Sequence, residues 1–195
     1  MKLDLHVHTN HSFDSDSSIE TVIEAASRAG LDGIAICDHD TMSAIGLAKM
    51  LASDIVIIPG MEITTDRGTH IIGLFLEEEI IARDIFDVIA EIHKQEGLVM
   101  VPHPYRPRTG LWFNRDKGNL YSGAEIEKII SQVDLIEAVN YHSKPEEILD
   151  TDRHLRLLTS MAQGAGSDAH SVEDIGKAYV DLDCDSNDDP DEIKA

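Results

Sequence analysis

Hydrophobic and polar positions divide the chain into short apolar runs separated by amphipathic stretches. Runs at 2–8, 33–37, 55–62, 70–76, 98–102, 134–139, 162–166 and 178–182 have the length and turn-bounded character of strands. Stretches at 17–29, 41–52, 83–96, 123–131 and 145–160 carry apolar residues at helical spacing. Ser17 and Ser18 are placed to cap the first helix, Gly30 to close it and Gly97 to close the third. Strands alternating with helices argue for an α/β fold. No internal repeat and no dividing linker interrupts the pattern, so residues 1–195 read as one domain with a sizeable core.

Alternation along the first strand places Asp4, His6 and His8 on one face and Leu3, Leu5 and Val7 on the other. Parallel strands covered by helices on both faces read instead as continuous apolar runs. One polar and one apolar face suits a barrel with a polar mouth and helices packed outside. Only seven residues, Ile63 to Thr69, separate Glu62 from His70. That is too few for the crossover that joins parallel strands. The runs 55–62 and 70–76 should therefore pair antiparallel, which brings Glu62 and His70 to one end of the sheet. It is the end where α/β barrels keep their active sites.

Charge narrows the partners. Sixteen basic against 37 acidic residues give a formal charge of −21, a field that repels long nucleic acid. Seven of the acids lie in the tail DLDCDSNDDPDEIKA, 181–195, and most of the surface acidity reads as a solubility device. The final DDPDEIKA stands where a closing helix of the barrel would start. Cys37 ends an apolar run and reads as a buried small hydrophobe; with Cys184 as the only other cysteine, a reducing compartment is expected. MKLDLHVH lacks a signal-peptide core and no apolar run approaches ~18 residues, so a cytoplasmic protein away from membranes is expected.

The chemistry gathers at strand ends. DLHVHTNHSFD (4–14), CDHD (37–40), PGMEIT (59–64), GTHIIG (68–73), VPHPYR (101–106) and GSDAH (166–170) supply His6, His8, Asp14, His39, Glu62, His70, His103, Asp168 and His170. A lone HxH or DxH is a weak signal, and six such sites in order are a strong one. One tetrahedral ion takes four ligands, so nine donors suit two or three divalent ions, a kind of cluster used for phosphate hydrolysis. Mixed imidazole and carboxylate donors suit Mn, Fe or Zn. Asp4, Asp38 and Asp40 are candidates to orient ligand imidazoles, Asp4 on the ligand face being the best placed, and Asp40 is alternatively placed to cap the helix at 41–52.

These motifs, from HxH through CDHD, GMEIT, HIIGL and PHP to GSDAH, resemble those of the polymerase and histidinol phosphatase (PHP) domain family across Lys2 to about Asp183. The resemblance implies a distorted seven-stranded (β/α)7 barrel holding up to three divalent metals. It places His6, His8, Glu62 and Asp168 on the first, Glu62, His70 and His103 on the second, and Asp14, His39 and His170 on the third. Many family members carry histidine where Asp14 stands, and the family often has an asparagine at the position of Asn140, in IEAVN. The implied activity is phosphoester hydrolysis through a metal-bridging hydroxide, with Glu62, Asp168 and Arg106 in catalytic roles. A small phosphomonoester or short nucleotide is the expected substrate. Histidinol phosphate is an alternative, and a non-catalytic, metal-stabilised nucleotide- or partner-binding module is a reading of another class.

The segment 102–122 is long for a structureless loop and suits a binding loop. It holds Arg106, Arg108, Arg115 and Lys117, four of the 16 basic residues, and the single tryptophan, Trp112. Arginines beside a metal mouth suit phosphate clamping, and Arg106, three residues beyond His103, is best placed. Arg108, Asn140 and His11 are further candidates for contact with substrate, while Trp112 and Phe113 read as the packing anchor of the loop.

Overall fold

A computed structural model of the chain describes residues 1–112 and 120–183. Strands β1 (Lys2–Val7), β2 (Gly33–Ile36), β3 (Val56–Thr64), β4 (His70–Leu74), β5 (Leu98–Val101), β6 (Leu135–Asn140) and β7 (Ala162–Gly166) alternate with helices, and a two-residue strand, β8 (Val180–Asp181), follows. The helices are α1 (Ile19–Ala29), α2 (Ile45–Leu51), α3 (Ile85–Lys94), α4 (Gly123–Ile130) and α5 (Pro145–Leu155). The Ser18 hydroxyl accepts from the Thr21 amide at the start of α1, and Gly30, at φ 72°, closes it in a conformation that costs glycine little. Asp84 caps α3, and Ser122 with Glu125 forms a capping box on α4.

The sheet runs β7-β6-β5-β4-β3-β2-β1-β8. β3 serves two neighbours: residues 56–59 pair parallel with β2, and residues 60–64 pair antiparallel with β4. The expected antiparallel pair is present, but it is not the single one. β4 also runs antiparallel to β5, and β8 antiparallel to β1. A strand that enters by a short turn and leaves through α3 opposes both of its neighbours. The barrel closes beyond the ends of β1 and β7, where the Asp168 amide donates to the His6 carbonyl at 2.7 Å and the His8 amide to the Ala169 carbonyl at 3.0 Å. Gly166 permits that approach, since a Cβ there would stand 2.3 Å from the His6 Cβ.

Three apolar clusters hold the layers. Leu3, Leu5, Ala35, Cys37, Ile58, Ile72, Leu74, Met100 and Leu135 form one cluster drawn from six successive strand regions, which fills the barrel below the mouth. Val7, Ile34, Ile36 and Ile57 pack on α1 and α2, while Met61, Ile63, Ile71 and Val99 pack with α3, α4 and α5. Each fully buried side chain of this kind contributes about 1.5–3 kcal/mol relative to exposure.

Two bulges correct the simple alternation. On β1, Asp4 pairs with Ile34 and Val7 with Ile36, so Leu5 and His6 together oppose Ala35. Leu5 joins the interior cluster and His6 still reaches the mouth. Asp4 does not orient an imidazole: its carboxylate accepts the backbone amides of His6, Ser167 and Gly176. On β6, the extra residue Ala138 lies between the pairs Glu137–Gly164 and Val139–Ala165, and it lets Glu137 and Asn140 meet. Asp40 does not cap α2, which begins after Ala44. Its carboxylate accepts the Thr64 amide and lies 3.4 Å from Arg83.

Candidate metal centre

The β1 bulge and the seam with 167–170 bring His6, His8 and Asp168 together, and β3 delivers Glu62 from across the barrel. His6 Nε2 lies 3.1 Å from His8 Nε2, 3.4 Å from Glu62 Oε2 and 3.3 Å from Asp168 Oδ1. His8 Nε2 lies 3.3 Å from each of the same two oxygens. Four donors held tetrahedrally about 2.0–2.1 Å from one ion are about 3.3 Å apart. Five of the six edges of this set therefore have the separations that a bound ion requires. Asp168 Oδ1 is buried without a hydrogen-bond partner, which is costly unless a cation meets it.

Glu62 faces two ways. Its Oε2 turns to His6 and His8 and lies 3.3 Å from His39 Nδ1, and its Oε1 lies 2.7 Å from His70 Nδ1 and 3.0 Å from His103 Nε2. Asp14 Oδ2 lies 3.3 Å from His39 Nε2 and 3.2 Å from His170 Nε2. Donor groups His6/His8/Glu62/Asp168, His39/Glu62/His70 and His8/Asp14/His39/His170 each converge within 4.8 Å. All nine expected donors thus meet at one mouth, with His103 on the Glu62 side and His8 close to the third group. His103 and Asp168 hold positive φ, 28° and 54°, a strain of the kind that concentrates at functional sites.

The electrostatics have the same form. Burial pulls the His6 and His8 imidazoles down, but the facing carboxylates outweigh it, lifting His6 well above its ordinary value and His8 to about 9. Burial pushes Glu62 and Asp168 up, and the imidazoles reverse this, holding both far below the usual carboxylate range. Positive charge at this point is strongly favoured, and a divalent ion supplies it without protonating the donors. The residues fit such ions.

Arg106 lies beside the first set: one guanidinium nitrogen is 2.6 Å from Asp168 Oδ2 and another donates to Asn140 Oδ1 at 2.9 Å. Arg106, Thr64, Thr109 and Phe13 line a cavity of about 310 Å³ with Asp14, His39, Glu62, His70, Asp168 and His170. Asn140 is buried in the network linking Glu137, Asp168 and Arg106. His11 and Arg108 are not among the cavity's lining residues; His11 pairs with the Ser43 hydroxyl at 2.6 Å. Trp112 is buried, stacked on His154 at 4.4 Å, and so anchors the loop as expected. Phe113, Arg115, Lys117 and Cys184 lie outside the described residues.

Sequence reasoning missed Glu137, Ser12 and Phe13. Glu137 Oε1 lies 3.0 Å from His6 Nδ1, and Ser12 Oγ lies 3.0 Å from His8 Nδ1 and donates to Asp38. A single carboxylate inside the apolar run LIEAV was the available signal for Glu137. The exposed Phe13 ring stacks on His39 at 5.0 Å.

The family model of the PHP domain matches residues 4–164. The chain belongs to the PHP domain family. A PHP-associated model matches residues 158–194 of this PHP domain protein. Similar proteins include an uncharacterized protein of Methanocaldococcus jannaschii, 30% identical over 184 residues, covering 92% of this chain and 70% of that one. A 5'-3' exoribonuclease of Haemophilus influenzae is 40% identical over 78 residues, 37% of this chain and 28% of that enzyme. A solved structure from Bifidobacterium adolescentis, described as a candidate metal-dependent phosphoesterase, superposes with a TM-score of 0.69 at 18% identity over 87% of both chains. That likeness shows the shared fold. Among the described residues no helix is long and apolar enough to cross a membrane.

Proposed function

We propose that this PHP domain is a metal-dependent phosphoesterase acting on a small phosphomonoester or short nucleotide. The observation that carries the reading is the set of donor separations of 3.1–3.4 Å around His6 and His8, with Arg106 adjoining it. Divalent ions, when bound, supply Lewis acidity toward phosphoryl oxygens and acidify water beside them. The chain's own residues do the rest. Glu62, held ionised, ties the two halves of the mouth together. Arg106 turns its guanidinium to the cavity, where its fork suits non-bridging phosphoryl oxygens and counters the charge that gathers on them during hydrolysis. Asp168 and Asn140 fix the angle of that guanidinium.

The cavity, at about 310 Å³, is at the small end of ligand pockets, roughly 300–1,000 Å³, and the charge of −21 opposes long polyanions. Phe13, 87% exposed beside His39, offers a face on which a nucleobase would stack, which supports a nucleotide among small substrates. The test is turnover of p-nitrophenyl phosphate and a panel of mononucleotides and short oligonucleotides by protein loaded with Mn, Fe or Zn and assayed for metal content. Two to three equivalents of metal with phosphate release are expected. Full loading with no turnover would favour a binding module, and one equivalent or less would refute the cluster.

A further inference from the structure

We propose that Glu137 is a positioning residue that locks His6 in its Nδ1–H tautomer and so sets the metal affinity of the His6/His8/Glu62/Asp168 group. The inference rests on reading that group as a metal site. Glu137 is 1% exposed, and three groups reach its carboxylate. His103 donates its backbone amide to Oε2 at 2.6 Å, Asn140 Nδ2 donates to the same oxygen at 2.9 Å, and His6 Nδ1 lies 3.0 Å from Oε1.

The direction of each bond follows from its neighbours. Asn140 Oδ1 accepts from the Arg106 guanidinium and from the His142 amide, both obligatory donors. The Asn140 amide is therefore oriented with Nδ2 toward Glu137 and Asp168. Glu137 thus receives two donors on one oxygen and can only accept on the other. The proton between Glu137 and His6 then belongs to Nδ1, so the neutral ring that ligates an ion presents its Nε2 lone pair toward His8 Nε2, Glu62 Oε2 and Asp168 Oδ1. His8 reaches the same tautomer by a weaker route. Ser12 spends its one proton on Asp38 and accepts from the His39 amide, so its remaining capacity takes the His8 Nδ1 proton. His6 alone of the two is backed directly by a carboxylate, an arrangement that orients a ligand imidazole and raises its basicity.

Glutamine cannot replace Glu137. All three partners donate, and an amide has one oxygen, so either orientation sets its NH2 against a donor. The escape is for His6 to move its proton to Nε2, which removes it as a ligand. Glu137→Gln should weaken the tightest ion by about 10–100-fold in calorimetric titration with Mn²⁺. In wild-type protein loaded with Zn²⁺, ¹⁵N NMR should show His6 protonated at Nδ1 and ligating through Nε2, a measurement that needs no variant to fold. Wild-type protein that takes up no ion would refute the metal reading itself. Wild-type loading with equal affinity in Glu137→Gln, or a His6 ligating through Nδ1, would overturn the role of Glu137 and leave the metal reading standing.

Discussion

Gly166→Ala tests how closely the barrel seam and the metal centre are joined. The added Cβ would stand 2.3 Å from the His6 Cβ, 2.9 Å from the His6 nitrogen and 2.8 Å from Glu137 Oε1. Carbon pairs sit best at about 3.5–4.0 Å, so His6 and its strand must retreat by about 1 Å or more. The obstacle is backbone and a fully buried ring, so no flexible tip can give way. Overpacking of this kind costs about 1–3 kcal/mol, and the rigid setting places this case near 3. For a chain of this size each kcal/mol lowers Tm by about 2–4 °C, so the expected loss is roughly 6–12 °C. The retreat also moves His6 Nε2 out of donor separations of 3.1–3.4 Å, so metal affinity should fall with stability. Gly30→Ala is the control. Its φ of 72° strains alanine, yet nothing lies within 4 Å of the new Cβ. It should cost about 1–2 kcal/mol and leave metal uptake unchanged. Calorimetric melting of both variants with Mn²⁺ titration gives the comparison. A Gly166→Ala protein that melts within 2 °C of wild type (the smallest shift expected from ~1 kcal/mol) and binds metal normally would show that the seam and the donor set are not joined in this way.

Glu62→Gln should cost more activity than Asp14→Asn, because Glu62 faces five imidazoles and Asp14 two; equal or reversed losses in kcat would count against a bridging Glu62. Arg106→Ala should lower kcat/KM for phosphorylated substrates at least about tenfold, the value of a lost charge-assisted hydrogen bond, with metal content retained, and an unchanged kcat/KM would remove Arg106 from substrate binding. In metal-free protein, His8 titrates near 9 against an ordinary 6.5, so its stabilisation is full below about pH 6.5 and is lost as pH rises through about 9. Glu62 and Asp168 are depressed, so theirs is present above about pH 4.5 and is lost as pH falls through their lowered values. Melting scans of metal-free protein should therefore decline between pH 6.5 and 9; a rise across that window would contradict the charge arrangement.

Every strand and helix of the described chain was legible as period and punctuation. The Ser18 and Gly30 signals mark α1 to within a residue or two, and seven residues between Glu62 and His70 sufficed to orient β4. The candidate donors are legible because most lie at or shortly beyond the end of an apolar run, and the fold brings all nine to one mouth. The bulges were not. An extra residue in one strand leaves the apolar pattern intact and shifts only the partner register, which no single strand records. Simple alternation therefore puts Asp4 on the ligand face, where its carboxylate in fact holds backbone amides, and points to Asn140 rather than to Glu137, the hydrogen-bonded neighbour that meets His6. Its distance from His103 points to Arg106, but its pairing with Asp168 depends on a residue that the fold brings from far along the chain.

The seam between β1 and the residues after β7 also decides when the centre comes into being. Ser167 hydrogen-bonds to His6 across 161 residues of sequence, and the bonds from Asp168 to His6 and from His8 to Ala169 beside it bring Asp168 and His170 to the amino-terminal donors. Such distant pairings are slow to form, because loop closure precedes any reward from the contact. During synthesis the amino-terminal imidazoles therefore wait, with Glu62, His70 and His103, for the last of their partners. An ion held across the closed seam would stabilise that closure, and opening the seam would release it.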